Sequence, residues 1–213
     1  MIIFSQYRGI LCLIVLFRTE AFFTLISKKP CKKLTKTILL RQTHTLEVKT
    51  MKDKSIWIDQ FKMEGHEEGG FFYQVMKSDQ RIQLEEQPER ALYTSIYFLL
   101  TSTNVSRFHR LTADEVWYYH YGSPLTVHMI TPEGEYQQIT LGTDVENGQV
   151  LQAVVPKNTI FGSSVEELDS YSLASCMVSP GFEYDDFELF KRSDLLNQYP
   201  DYADIIHRLT LED

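Results

Sequence analysis

The residues able to do chemistry gather in Ser106 to Gly122, SRFHRLTADEVWYYHYG, where His109 precedes Glu115 across a short polar turn. An imidazole beside a carboxylate is a general acid–base unit, because the carboxylate fixes the ring tautomer and raises its pKa toward neutrality. Read by period, Val105 to His109 is a strand, Leu111 to Asp114 a turn and Glu115 to Tyr121 a second strand. Alternation then places Glu115, Trp117, Tyr119 and Tyr121 on one face, and Val116, Tyr118 and His120 on the other. A carboxylate among large rings is costly to bury alone, and His109 is the nearest partner. The expected pocket is built from His109, Glu115, Tyr119, Tyr97 and Phe161, with Tyr97 or Tyr119 donating a proton on the far side of a bound molecule. Trp117 belongs to the same aromatic set, and Arg107 is a candidate for an acidic ligand group. The same His–Glu pair also reads as a structural pin between two strands, and both readings stand at this point.

The elements that must position these groups are short strands. Phe71 to Met76, Leu92 to Leu100, Leu125 to Ile130, Tyr136 to Leu141, Val150 to Val155 and Tyr171 to Val178 join the two above. They are separated by turn chemistry such as Gly122-Ser123-Pro124, Pro132-Glu133-Gly134, Asn147-Gly148 and Pro156-Lys157-Asn158. Many short strands at near-even spacing mean an all-β antiparallel sandwich or barrel. Ser55 to Met63 reads as a short helix capped by Ser55, His66 to Gly70 as a turn, and 79–90 as a surface loop or hairpin excursion. At the end, Ser193 to Tyr199 and Pro200 to Leu209 carry helical spacing.

Charge divides the chain. Residues 1–50 hold nine Lys/Arg against Glu20 and Glu47, a balance of +7 within a total of −8, which leaves −15 for residues 51–213. The first fifty residues therefore read as a basic extension, either a misassigned start upstream of Met51 or a weak membrane anchor. Gly9 to Phe17 is apolar but is interrupted by Arg18 and Glu20 short of the roughly 20 residues needed to span a bilayer. Cys12 and Cys31 lie in that extension, so Cys176 is the one cysteine of the body, too few for a disulfide framework or a Cys-based zinc site. The body is expected to be cytoplasmic. Its acidity excludes a nucleic-acid partner, which needs a basic surface, and nothing in it calls for a membrane.

The body resembles a cupin. In that superfamily's first motif a histidine pair precedes a glutamate, with six residues between that glutamate and a glycine; here His109, Glu115 and Gly122 keep that pattern, while Leu111 occupies the second histidine position. Pro156 to Phe161 resembles the second motif, with Phe161 at its histidine. More closely, EGGFF (68–72), TSIYFLL (94–100), PLTVHMI (124–130), VVPKNTIFG (154–162) and SPGFEYDDFELFKRSDLL (179–196) resemble the fifth cupin subfamily, a domain of unknown function. The resemblance implies a double-stranded β-helix jelly roll over 51–213, with a short N-terminal helix and two C-terminal helices, commonly paired as a homodimer. It also implies a pocket for a small polar, sugar-derived molecule. By similarity to cupin-fold deoxysugar epimerases, a His–carboxylate pair there would remove a proton next to a carbonyl and a tyrosine return one. With two of the metal histidines replaced, no cofactor is expected; the runner-up is a metal-dependent, dioxygenase-like site using His109, Glu115 and His128, and the third reading is a non-catalytic binding protein.

Overall fold

The structure, a computed structural model, describes three N-terminal strands by their backbone and residues 51–83 and 88–212 in full. The chain divides into two compact units, Met1–Thr50 and Met51–Asp213. In the first, β1 (Ile2–Tyr7), β2 (Ile10–Leu16) and β3 (Ala21–Ile26) form an antiparallel sheet in that order. The basic cluster from Lys28 to Lys33, and Cys31 with it, lies outside the described residues. No helix among the described residues is long and apolar enough to cross a membrane.

The second unit is a jelly roll of two antiparallel sheets. One runs in the order β13 (Gln152–Val155), β10 (Asp114–Gly122), β15 (Tyr171–Ser179), β8 (Thr94–Thr101), β5 (Phe71–Lys77) and β4 (Glu64–Gly65). The other runs β12 (Tyr136–Leu141), β11 (Leu125–Ile130), β14 (Ile160–Val165), β9 (Ser106–Leu111) and β16 (Phe187–Leu189). A hairpin of β6 (Arg81–Ile82) and β7 (Arg90–Ala91) stands apart, where a polar excursion is expected. The expected bounds of β11 and β12 match because proline and glycine turns end them cleanly.

Alternation sorts the side chains into three layers. Phe98, Trp117, Ala174 and Cys176 from the larger sheet meet Leu111, Val127, Met129 and Phe161 from the smaller one. Each large side chain buried there contributes about 1.5–3 kcal/mol. On the outside of the smaller sheet, Phe108, Ile130 and Ile160 lie under α2 (Arg192–Gln198) and α3 (Ala203–Arg208) through Leu195, Ile206 and Leu209. On the outside of the larger sheet, α1 (Lys54–Phe61) sets Trp57, Ile58 and Phe61 against Leu99, Leu173 and Tyr97. Asp53 caps this helix, accepting from the Ser55 amide, so the cap lies two residues before the expected one.

Two details differ from the sequence reading. β14 is absent from it; its Gly162 is a place of close approach, since a Cβ there would lie 2.6 Å from the Ser106 carbonyl oxygen. In β10 the register shifts between Tyr119 and Tyr121, so Tyr121 leaves the Trp117 face and packs with Trp57 and Tyr171 on the outside.

The turn between β4 and β5 has the tightest backbone of the roll. Gly69 has φ +109°, and a Cβ on it would lie 2.1 Å from the Val105 carbonyl oxygen. Gly69→Ala combines left-handed strain with a backbone clash and is expected to destabilise the protein by at least about 2 kcal/mol. Urea denaturation measures this; a midpoint equal to that of the wild type would show that the turn relaxes freely.

Candidate functional site

A cavity of about 190 Å³ opens at one end of the roll, lined by residues from both sheets and from the segment after β15. His109, Glu115, Leu111, Cys176 and Gln74 line it from the strands, Phe182, Glu183, Tyr184 and Phe187 from the later segment, and His66 and Glu68 from the β4–β5 turn. His109 and Glu115, two of the four residues expected to carry chemistry, both line it.

The partner of His109 is nevertheless Glu68. His109 Nε2 lies 3.2 Å from Glu68 Oε2, and Ser106 Oγ donates to Glu68 Oε1 at 3.0 Å. His66 Nδ1 lies 3.6 Å from the same Oε2 and accepts the Glu68 amide. The expected His109–Glu115 pair is thus corrected: hydrogen bonds from the turn bring in a carboxylate from forty-one residues upstream, and Glu115 has as its partner the Cys176 thiol. Glu68 sits inside the quoted EGGFF segment, a carboxylate fixed just before two glycines, and that was the signal available in the sequence.

The turn is held from outside by Arg107. Its backbone amide donates to the Glu68 carbonyl at 2.8 Å, its Nε donates to the same oxygen at 3.1 Å, and its terminal nitrogen reaches the Glu67 carbonyl. Arg107 is therefore a clamp on the turn and not the ligand contact expected of it. His109 is fixed just as firmly, between the rings of Phe161 (centroids 4.1 Å apart) and Phe187 (5.3 Å).

The tautomer of His109 follows from its neighbours. Nδ1 lies 2.7 Å from the Arg107 carbonyl oxygen, which can only accept, so Nδ1 carries the hydrogen. Burial pushes the imidazole down to about 4, so at neutral pH Nε2 is a bare lone pair. Burial pushes Glu68 up to about 7, against the lowering influence of His66 and Ser106. The bare Nε2 thus faces, at 3.2 Å, a carboxyl oxygen of Glu68 that holds its proton up to about neutral pH. Glu115 is raised further, to about 8, by burial and then by the negative charge of Glu68. The cavity at neutral pH presents a neutral base and two weak acids, a combination that can take a proton and return one.

The other expected site residues lie elsewhere. Tyr97 is on the outer face of β8, against Phe61 and His120, because Phe98 takes the inner side. Tyr119 is inward but donates its hydroxyl to the Gly122 carbonyl and does not line the cavity. Trp117 is sealed in the core, edge-on to Phe98. Phe161 supports His109 from behind. His128 is on the outer face of β11, bonded to Tyr136 and Ser164, so it faces away from His109 and Glu115. With Leu111 and Phe161 at motif positions and His128 turned outward, the residues present do not fit the cupin metal site, and among the described residues no three His, Cys, Asp or Glu side chains are grouped to hold a metal ion.

Two sheets rolled about a cavity lined from β9, β10 and the β4–β5 turn define a cupin-type β-roll. The profile described as Cupin superfamily (DUF985) matches residues 55–190, and the chain belongs to that family. Among solved structures it is similar to protein SO0799 from Shewanella oneidensis, with 45% identity over 76% of this chain and 100% of that one and a TM-score of 0.71. It is also similar to a hypothetical protein from Leishmania major, with 39% identity over 76% of this chain and 100% of that one and a TM-score of 0.72. The uncharacterized protein YML079W from Saccharomyces cerevisiae is 29% identical over 65% of this chain and 76% of that protein.

These shifts fix a pH dependence. Glu68 and Glu115 bind protons more tightly folded than unfolded, so their contribution is full below about pH 4.5 and is lost as pH rises through about 7 and 8. His109 acts oppositely, but only between its folded value of about 4 and its ordinary 6.5. Above about pH 6.5 the acids alone decide the sign, and stability is expected to fall by about 1–2 kcal/mol by about pH 8. Urea melts at the two ends of that window measure it. Glu115→Gln should flatten the slope; a wild-type slope of the opposite sign would remove the assignment.

Proposed function

We propose that this cupin binds a small polar, sugar-sized molecule in the cavity and moves a proton on it, in the manner of an isomerase or epimerase, with Glu68 and His109 as the exchanging pair and Glu115 as the second acid. The observation that supports this reading most is the buried 3.2 Å contact between His109 and Glu68 at the wall of a cavity, with Glu115 on the same wall. Abstraction of a proton next to a carbonyl needs a poised base, and return of the proton on another side needs an acid still protonated near neutral pH. Glu115 replaces the tyrosines in the returning role. The volume is below the roughly 300–1,000 Å³ of drug-sized sites, which favours a guest of few atoms. One buried free cysteine in the described body suits a reducing compartment, the cytoplasm, where we place the protein.

The reaction is tested by solvent exchange. Small hydroxy-aldehydes, hydroxy-ketones and sugars incubated with the protein in deuterium oxide should gain deuterium next to the carbonyl. His109→Ala and Glu68→Gln should slow that exchange by about 100-fold or more. Exchange at the uncatalysed rate with every compound, in a protein that binds them, would leave a binding protein without catalysis.

We also propose a homodimer paired through the uncovered half of the larger sheet. Tyr73, Met76 and Val154 are 42%, 49% and 50% exposed there, beside the part that α1 covers. A two-fold pairing would bury this apolar surface. Light scattering should give twice the chain mass, and Met76→Glu with Val154→Glu should return it to one; a monomeric wild type at tens of micromolar would end the proposal.

A further inference from the structure

We infer that the guest is a small organic cation, an amine or ammonium compound, whose charge sits between Glu68 and Glu115 and against the rings of Phe182, Tyr184 and Phe187. The inference rests on the small-molecule reading above and deepens it by naming the chemical class. The charge inventory of the wall comes first. Glu68 and Glu115 are each 7% exposed, and both line the cavity. Among the described residues the one cationic side chain on the lining is Lys77, and its Nζ is held by Glu183 Oε1 at 2.7 Å. The arginines around the site are committed: Arg107 to backbone carbonyls of the turn, Arg110 to Glu188 and Arg90 to Asp186. A carboxylate or phosphate guest would meet two buried acids with no guanidinium or ammonium to answer it.

Glu115 supplies the second observation. It faces the cavity with a thiol as its partner, and a thiol is a weak donor, so a buried carboxyl there lacks the strong N–H or O–H donors such a group normally has. The N–H groups of an amine, or the positive charge of a quaternary ammonium, would fill that need. The rings complete the shape. Phe182 and Tyr184 meet nearly perpendicular with centroids 5.2 Å apart, and Phe187 lies 6.2 Å from Phe182 and 6.4 Å from Tyr184. Rings set at angles around a space next to carboxylates offer a cation their negative faces from more than one side. Since no three ligating side chains among the described residues are grouped for a metal ion, the cation that suits the wall is organic.

The test uses the full chain in thermal-shift and calorimetric titrations with choline, ethanolamine and glucosamine. Glucose serves as the uncharged counterpart, gluconate as the anion and manganese as the inorganic cation. At least one amine should raise the melting temperature while glucose, gluconate and manganese leave it in place. Its affinity should climb with pH, by up to about tenfold per pH unit, while the carboxyls lose their protons. Glu115→Gln, nearly isosteric, should weaken amine binding at least about tenfold and flatten that climb, since it removes the charge and keeps the shape. Phe182→Leu should weaken choline more than ethanolamine. Binding of glucose, gluconate or manganese in place of the amines overturns the cation assignment and leaves the pocket reading standing. Amine binding unchanged in Glu115→Gln also overturns it. Silence from every probe sinks this inference and the pocket reading together.

Discussion

The buried contact between Glu68 and His109 is the interaction on which the site depends. The contact exists because a glycine turn and Arg107 act together on two side chains. The Gly69-Gly70 turn aims Glu68 inward with backbone angles that other residues rarely adopt. Arg107 ties that turn to β9 by its amide and its guanidinium, and the Arg107 carbonyl in turn fixes the hydrogen of His109 on Nδ1. One residue thus positions the acid from one side and sets the tautomer of the base from the other. Moving either group by an ångström would leave two buried polar groups facing without a bond, a loss of roughly 1–3 kcal/mol each. The strained hairpin and the jelly roll are coupled through this point.

The rest of the wall follows from burial. A carboxyl that cannot reach water stays protonated to higher pH, and an imidazole that cannot reach water stays neutral to lower pH. Placed together, they invert the usual roles: at neutral pH the histidine is the uncharged acceptor and the glutamic acid the donor. This arrangement needs no net charge in the cavity at rest. Under the proposed function it would become charged when a guest supplies the opposite sign, which would couple protonation to occupancy.

The architecture was legible in the sequence to a larger extent than the site. Alternating strands, turn residues at even spacing and the His109 to Gly122 pattern lead to a two-sheet roll, because strand period and turn chemistry are local properties. The shared face of Glu115, Trp117 and Tyr119 on β10 is of the same kind. What local pattern does not carry is where a distant turn lands. Glu68 and His109 are joined by a fold-back that no periodicity records, so the histidine was given a carboxylate close in sequence and not the one close in space. The placement of Tyr97 failed for a related reason: it neighbours Phe98, and two adjacent strand residues cannot both point into the roll. The face of Tyr121 was lost to a single bulge, which reverses every alternation beyond it.

The loss of the metal histidines bears on whether the pair is a remnant or a working group. Leu111 and Phe161 fill the places of two ligands with apolar side chains packed in the core, so that part of the site has been rebuilt as structure. Had the remaining groups been rebuilt in the same sense, Glu115 would be bonded to a strong donor or exchanged for a residue without charge, since a buried acid of raised pKa weakens the fold at neutral pH and above. It stands instead at the cavity wall against a thiol, beside a second buried acid whose charge raises it further. A destabilising pair of acids kept around an open space is the pattern of a site in which stability is given up for chemistry, whereas a purely structural pin would have its members satisfied by each other. Glu68 has His109 and Ser106 beside it, whereas Glu115 has a thiol, so Glu115 is the residue on which the proposed function most differs from a structural pin.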